Sequence, residues 1–261
     1  ANVMLVADTK RAKNETGTRH KAAERTAKQT GTIVIAVSER RNKITLFYED
    51  KKYILESLDH LLRRATETLQ ILEKQVDIFN DSLLNLNILE LMSLVSADDV
   101  TSFLQRAEII INISNTIKKY LVELGKEGNI VSLRLKELTK NVNSEKDLVL
   151  KDYLGDKANK IRDILGKMDF DSILDMNNML NVIFGKNYEH SVYPKGYRLL
   201  NKTRLSEEDI SLLVNSFGHL DKIISADEEV LLRLFNSLQK VELFSKEIKK
   251  MKDKVSSGKK F

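Results

Sequence analysis

The chain contains 261 residues, 42% hydrophobic and 31% charged, proportions of a globular protein with room for more than one domain and not of a disordered chain. It has no Cys, which excludes disulfides, a Cys-based zinc site and a catalytic thiol together. The net charge of +5 is uneven: residues 1–52 hold 12 Lys/Arg against 6 Asp/Glu, residues 192–261 hold 14 against 10, and the middle is acidic. A polyanion such as a nucleotide or nucleic acid would meet the basic ends, although ordinary surface variation explains the pattern equally well.

In chain order, Val3–Val6 is a short apolar run that reads as a strand, and Asp8–Glu15 is polar. Thr18–Thr30, with Ala22, Ala23 and Ala27, suits a helix closed by Gly31 at a C′ position. Ile33–Val37 is a β-branched run, expected to be a buried strand with neighbours on both sides. Ile44, Leu46 and Tyr48 alternate with polar or exposed positions, and Tyr53–Leu55 follows after a charged turn. The order strand, helix, strand, strand, strand is an α/β pattern too small to bury a core of its own. With Ala1 falling inside a strand and no initiator Met, a fragment lacking its upstream part is expected.

From Ser57 the period becomes helical. Leu58, Leu61, Leu62, Ala65, Leu69, Leu72, Val76 and Phe79 keep i, i+3, i+4, i+7 spacing. Ser96-Ala97-Asp98-Asp99 is a capped start for a helix through Val100, Phe103, Leu104, Ala107, Ile110, Ile111 and Ile117 to Leu124, which Gly125 can stop. Shorter amphipathic segments follow at Val131–Leu138, Glu145–Tyr153, Lys157–Leu165 and Ser172–Leu180. Tyr193-Pro194-Lys195-Gly196-Tyr197, with the only Pro, marks a domain start. Helices at Ser206–Phe217, Leu220–Ile224, from Ala226, and at Leu238–Lys254 complete the chain. The expected class is α+β: a partial α/β domain over residues 1–55, an all-α spine over 56–191 and a small helical domain over 192–261. No apolar run is long enough to span a membrane and no signal peptide opens the chain, so no membrane partner and a cytoplasmic location are expected.

One segment is more specific than the rest, Glu15-Thr16-Gly17-Thr18-Arg19-His20-Lys21-Ala22-Ala23-Glu24-Arg25. A Thr-Gly-Thr turn opening a helix offers free backbone N–H groups and hydroxyls to phosphate oxygens. Arg19 adds a bidentate donor, and His20 a titratable group or metal ligand. On spacing alone, a capped helix with surface charges is the stronger of the two readings. The four His, at 20, 60, 190 and 219, show no paired metal-ligand spacing.

The wording of that segment resembles the signature G-T-R-H-R-x-A-E-R of the diadenylate cyclases. The whole chain looks like the DNA-integrity-scanning branch of that family, through Ala1-Asn2-Val3, Ala27-Lys28-Gln29-Thr30-Gly31, Leu104-Gln105-Arg106-Ala107-Glu108 and Pro194-Lys195-Gly196-Tyr197-Arg198-Leu199-Leu200. The resemblance implies a diadenylate cyclase domain, of which residues 1–55 would be the C-terminal half, a helical spine and a helix-hairpin-helix DNA-binding domain. It implies condensation of two ATP into cyclic di-AMP, linked to sensing of DNA structure, in an octamer with cyclase domains face to face. Thr16, Gly17, Thr18 and Arg19 would bind phosphates, with Lys21 beside them. His20 and Arg19 would serve catalysis, and His20 would lie at the Mg²⁺ or Mn²⁺. Leu5 matches a position packing on adenine, and Ser38 a phosphate-side residue on the next strand.

The chain departs from the family pattern in three places. The other signature, Asp-Gly-Ala, does not occur in it, so these residues alone are expected to be inactive. Lys21 replaces the second Arg of the motif, which keeps the charge and loses the planar fork. Ser237-Leu238-Gln239 stands where a Gly-x-Gly hairpin is expected, so the last domain is read as degenerate and its DNA binding as weak or non-specific. The alternative is a DNA-binding or scaffolding protein whose cyclase site has decayed.

Overall fold

The computed structural model describes residues 17–39, 43–186, 188 and 190–256. The expected strand at Val3–Val6 lies outside them. Two compact units are present: one takes the chain up to Glu67 together with Lys118–Ser132, the other Thr68–Ile117 together with the chain from Leu133 onward. The class is α+β, mostly helical with a small antiparallel sheet.

In the first unit, helix α1 (Thr18–Thr30) ends where expected. Gly31 takes φ 64°, and its N–H donates to the Ala27 carbonyl at 2.9 Å. Strands β1 (Val34–Ser38), β2 (Lys43–Tyr48) and β3 (Lys51–Leu55) form an antiparallel sheet in the order β1-β2-β3, with Ala36 opposite Thr45 and Leu46 opposite Tyr53. Helix α1 covers one face of it. Ala23, Ala27 and Phe47 are buried there, with Val34 and Ala36 packed against them.

Two expectations fail in this sheet. The inward residues of β2 are Thr45 and Phe47, so Ile44, Leu46 and Tyr48 lie on the opposite face. The cause is the helix: Ala23 and Ala27 leave a hollow that takes one large ring, and Phe47 is the ring that fills it. The run Ile33–Val37 is not a buried strand either. Ile33, Ile35 and Val37 are 67%, 62% and 67% exposed, because among the described residues β1 pairs with β2 alone and α1 covers the other face.

Helices α2 (Leu58–Met92) and α3 (Ala97–Leu124) follow. Leu61, Ala65, Leu69, Leu72, Val76 and Phe79 are buried along α2, whereas Leu58 and Leu62 are exposed. Helix α3 starts on a reciprocal cap: the Ser96 N–H donates to the Asp99 carboxylate at 3.0 Å, and the Asp99 N–H to the Ser96 hydroxyl at 3.2 Å. Gly125, at φ 54°, ends it.

The second unit adds α4 (Asn129–Thr139, shared with the first unit), α5 (Val142–Leu154) and α6 (Ala158–Leu165). The expected segment Ser172–Leu180 is two helices, α7 (Phe170–Leu174) and α8 (Met176–Phe184). Asp175 breaks it by turning to an extended conformation and accepting the N–H groups of Asn177 and Asn178 at 2.9 and 3.2 Å. Helices α9 (Tyr197–Leu200), α10 (Glu207–Phe217), α11 (Leu220–Ile224), α12 (Glu228–Phe235) and α13 (Leu238–Ser256) enclose a core that includes Leu199, Leu213, Ile223, Leu231 and Phe244. The link between α12 and α13 is Asn236–Ser237, with Asn236 at φ 49°. Leu238 and Gln239, expected in a hairpin, already belong to α13. No described helix is long and apolar enough to cross a membrane.

Candidate functional site

The first turn of α1 gathers Thr18, Arg19, His20 and Lys21 directly after Gly17. Gly17 takes φ 104°, a conformation that side chains disfavour, and the space where a Cβ would stand is open. Among the described residues no side chain caps this helix, and its first turn holds no acid. The contrast within the same molecule is sharp: α3 opens with Asp98 and Asp99, α10 with Glu207, Glu208 and Asp209, and α12 with Glu228 and Glu229. The N–H groups at the positive end of α1, with exposed Arg19 and Lys21 added, make a site that favours a bound anion.

Behind that turn the helix is fixed to the sheet. The His20 ring meets Phe47 edge-on, with centroids 6.5 Å apart. Two turns on, Lys28 pairs with Glu24 at 3.0 Å and with Asp50 of the β2–β3 turn at 3.2 Å. These bonds raise the Lys28 pKa, the hydrogen bond to Glu24 first. Ser38 closes β1 opposite Lys43, at the end of the strand away from the Gly31 connection, as Gly17 lies at the end of α1 away from it. Leu5 and Thr16 lie outside the described residues.

Among the described residues, no group of three His, Asp, Glu or Cys could hold a metal ion. His20 packs against the Phe47 ring. The described residues by themselves do not fit a Mg²⁺ or Mn²⁺ centre.

A second polar cluster, in the other unit, escaped the sequence reading. Arg198 is completely buried. Its guanidinium donates to Glu90 at 2.6 and 3.3 Å and to Asn87 at 2.7 Å, and stands 3.6 Å from Glu145. Lys202 reaches Glu145 at 3.1 Å, and the Tyr153 hydroxyl donates to Glu90 at 2.8 Å. Burial and the charge of Glu90 push the Tyr153 pKa up, and burial pulls the Lys202 pKa down. A cavity of about 360 Å³ lies alongside, lined by Phe79, Asn80, Leu83, Leu84, Asn87, Asn141, Glu145 and Lys202. The one hint in the sequence is a lone Arg between Tyr197 and Leu199-Leu200, where an apolar neighbourhood encloses a charge.

The chain matches two family models. Residues 1–52 match the DisA bacterial checkpoint controller nucleotide-binding model, and residues 55–191 match the DisA bacterial checkpoint controller linker region. It is similar to the DNA integrity scanning protein DisA of Acetivibrio thermocellus, with 38% identity over 88% of the chain and 66% of that relative. It is similar to the DisA proteins of Bacillus licheniformis, at 40% over 87% of the chain and 65% of the relative, and of Bacillus subtilis, at 39% over 88% and 66%. The chain therefore spans just under two thirds of the length of these relatives. With the linker model covering more than half its length and this level of identity beside it, the chain belongs to the DNA integrity scanning protein (DisA) family.

Proposed function

We propose that the first unit contributes the phosphate-binding half of a diadenylate cyclase site. Two ATP are condensed there into cyclic di-AMP and two pyrophosphates. The observation that carries this reading is the first turn of α1 behind Gly17, acid-free and with no side-chain cap among the described residues, where Arg19 and Lys21 stand. In the reaction, the ribose 3′-hydroxyl of one ATP attacks the α-phosphate of the other, and pyrophosphate leaves. Charge neutralisation and alignment supply most of the rate in such chemistry. Gly17 lets the backbone N–H groups approach phosphate oxygens without a side chain between them. Thr16 and Thr18 add hydroxyl donors, and Arg19 a two-pronged charged donor. Lys21 serves as a point charge, so the contact at that position is weaker and less directional than an Arg would make. His20, held by Phe47, faces the phosphate end, Leu5 packs on adenine, and Ser38 adds a hydroxyl from β1.

Each subunit holds one nucleotide, so the nucleophile and the phosphorus meet across a two-fold interface. The full-length protein is accordingly a homo-oligomer with cyclase domains face to face, an octamer. These 261 residues contain one of the two family signatures and turn over no ATP by themselves. The α12–α13 pair is read as a degenerate helix-hairpin-helix, and the proposed role is cytoplasmic and linked to DNA.

The deciding measurement uses the chain joined to a segment carrying Asp-Gly-Ala. Arg19→Ala should weaken ATP binding by roughly 1.5–3 kcal/mol, the worth of a charge-assisted phosphate contact. Cyclic di-AMP should form in the unaltered protein and fall sharply in the variant. Equal affinity and equal turnover in the two would remove the phosphate role of residues 16–20.

A further inference from the structure

The cavity of about 360 Å³ beside the Arg198 cluster is built on one stripe of α2. Asn80, Leu83, Leu84 and Asn87 follow i, i+3, i+4, i+7 spacing, so they share one face of that helix, and all four line the cavity. Asn141 and Glu145, one turn apart where α5 begins, form a second wall, and Lys202, just after α9, a third. The start of α9 is fixed in turn: the Asp152 carboxylate accepts the N–H groups of Gly196 at 3.2 Å, Tyr197 at 2.7 Å and Arg198 at 3.0 Å. All of these residues belong to the second unit. Its size is that of cavities which take small organic molecules, about 300–1,000 Å³.

Three side-chain amides and two leucines set its chemistry. Asn87 is buried, and its amide oxygen is held by Arg198 Nη1 at 2.7 Å, which leaves the amide N–H groups as its donors to a guest. Asn80 and Asn141 keep both ends of their amides open, since neither side chain has a hydrogen-bond partner among the described residues. Along α2 the order is amide, two leucines, amide, and seven residues of helix set the two amides about 10 Å apart. The two charged side chains of the lining, Glu145 and Lys202, are paired with each other at 3.1 Å. A charged guest would give up its hydration and find no opposite charge left over. The lining therefore suits an uncharged molecule with an apolar middle and hydrogen-bonding groups at both ends. A side-chain amide also sets a donor beside an acceptor, the pattern that pairs with the N6 and N7 edge of adenine.

We propose that this cavity binds a purine nucleoside. The Asn80 amide takes the base edge, Leu83 and Leu84 pack against the base, and the Asn87 N–H groups donate to a ribose hydroxyl, with Asn141 closing the opposite wall. The site lies in the other unit from the first turn of α1, and it stands whether or not that turn binds phosphate.

Titration of the intact chain with adenosine, followed through the side-chain amide ¹H–¹⁵N signals, tests this. The signals of Asn80, Asn87 and Asn141 should shift together and reach half-saturation below about 1 mM. No saturable shift up to about 5 mM, or shifts confined to the backbone amides of residues 18–21, would overturn the site. Leu83→Trp, which fills the cavity, should weaken binding at least about tenfold, and unchanged binding would overturn the proposal. If L83W does not fold, Asn141→Ala at an exposed position takes its place. The expected loss is then at least about threefold, the worth of one hydrogen bond, and no loss overturns the proposal. Butyrate and butylamine test the charge argument: tighter binding of either at these three amides than of adenosine would overturn the uncharged guest.

Discussion

Arg198 Nη2 stands 2.6 Å from Glu90 Oε2, and solvent reaches neither side chain. The two residues are 108 positions apart, so this contact ties the start of α9 to the far end of α2. Taking a guanidinium and a carboxylate out of water is costly, and only complete pairing offsets it. The pairing here is complete on the Arg side: Glu90 takes two of its N–H directions and Asn87 another, with Glu145 beyond. Removing one partner leaves the other charged and unpaired in the interior. Arg198→Ala or Glu90→Ala should each cost about 3–5 kcal/mol, read as a shift of the urea midpoint. Arg198→Lys should recover little, because one ammonium cannot serve Glu90, Asn87 and Glu145 in one plane. A loss below about 1 kcal/mol would show that solvent enters the site and screens the charge.

Gly196 provides a second test of the same joint. Its φ of 113° is open to glycine, and a Cβ there would stand 3.1 Å from Leu220 Cδ1 and 3.5 Å from Ile223 Cδ1. Gly196→Ala therefore combines backbone strain with a clash against the C-terminal core, and the strain alone is worth about 1–3 kcal/mol. Gly17→Ala is the control, with a φ of 104° and no neighbour within 4 Å of the added carbon. Thermal unfolding should show the larger loss for Gly196→Ala. Equal losses would mean that Leu220 and Ile223 move aside freely.

Local signals were legible in the sequence and long-range ones were not. The ends of α1 and α3 follow from Gly31, Ser96 with Asp99, and Gly125, each acting through atoms a few residues away. The phase of β2 did not follow, because Ile44-Leu46-Tyr48 and Thr45-Phe47 are both credible inward sets, and the choice belongs to Ala23 and Ala27 on another element. Asp175 was missed as a helix break because an Asp within an amphipathic run reads as surface until its carboxylate is seen capping α8. At the candidate site, the Gly17–Lys21 turn was legible as a motif. The Asp152 and Arg198 cluster was not, since its members come from α2, α5 and α9 and no spacing links them.

The sheet gives a prediction about dynamics. Among the described residues, strand β1 has one hydrogen-bonding partner and an uncovered face, and no ladder protects its outer N–H groups. In α3, Val100, Phe103, Leu104, Ala107 and Ile110 are fully buried. Amides of residues 33–37 should exchange much faster than those of residues 100–110 in the same sample. Equal protection of the two segments would mean that the exposed face of β1 is covered in solution.

The last prediction concerns DNA. Arg198, a natural candidate for a phosphate contact from its place in the sequence, is enclosed by Glu90 and Asn87 and cannot reach a backbone. Lys240 is engaged by Asp209 at 2.7 Å. Exposed cations of this region include Lys246 and Lys249 on α13, with Arg204, Lys222 and Arg233 before it. The α12–α13 link is Asn236–Ser237, so side chains stand where glycines would let backbone N–H groups meet a phosphate. Contact through lysine side chains is independent of sequence and holds no two backbones at a fixed separation. Binding to the intact chain should therefore be weak and fall steeply with salt. A four-way junction should be preferred over a plain duplex by less than about tenfold, or about 1.4 kcal/mol. Lys246→Glu with Lys249→Glu should weaken both substrates equally and flatten the salt slope, as expected when counterion release supplies the affinity. A junction preference well above tenfold that survives this double substitution would mean that Asn236–Ser237 forms a phosphate-binding hairpin without glycine.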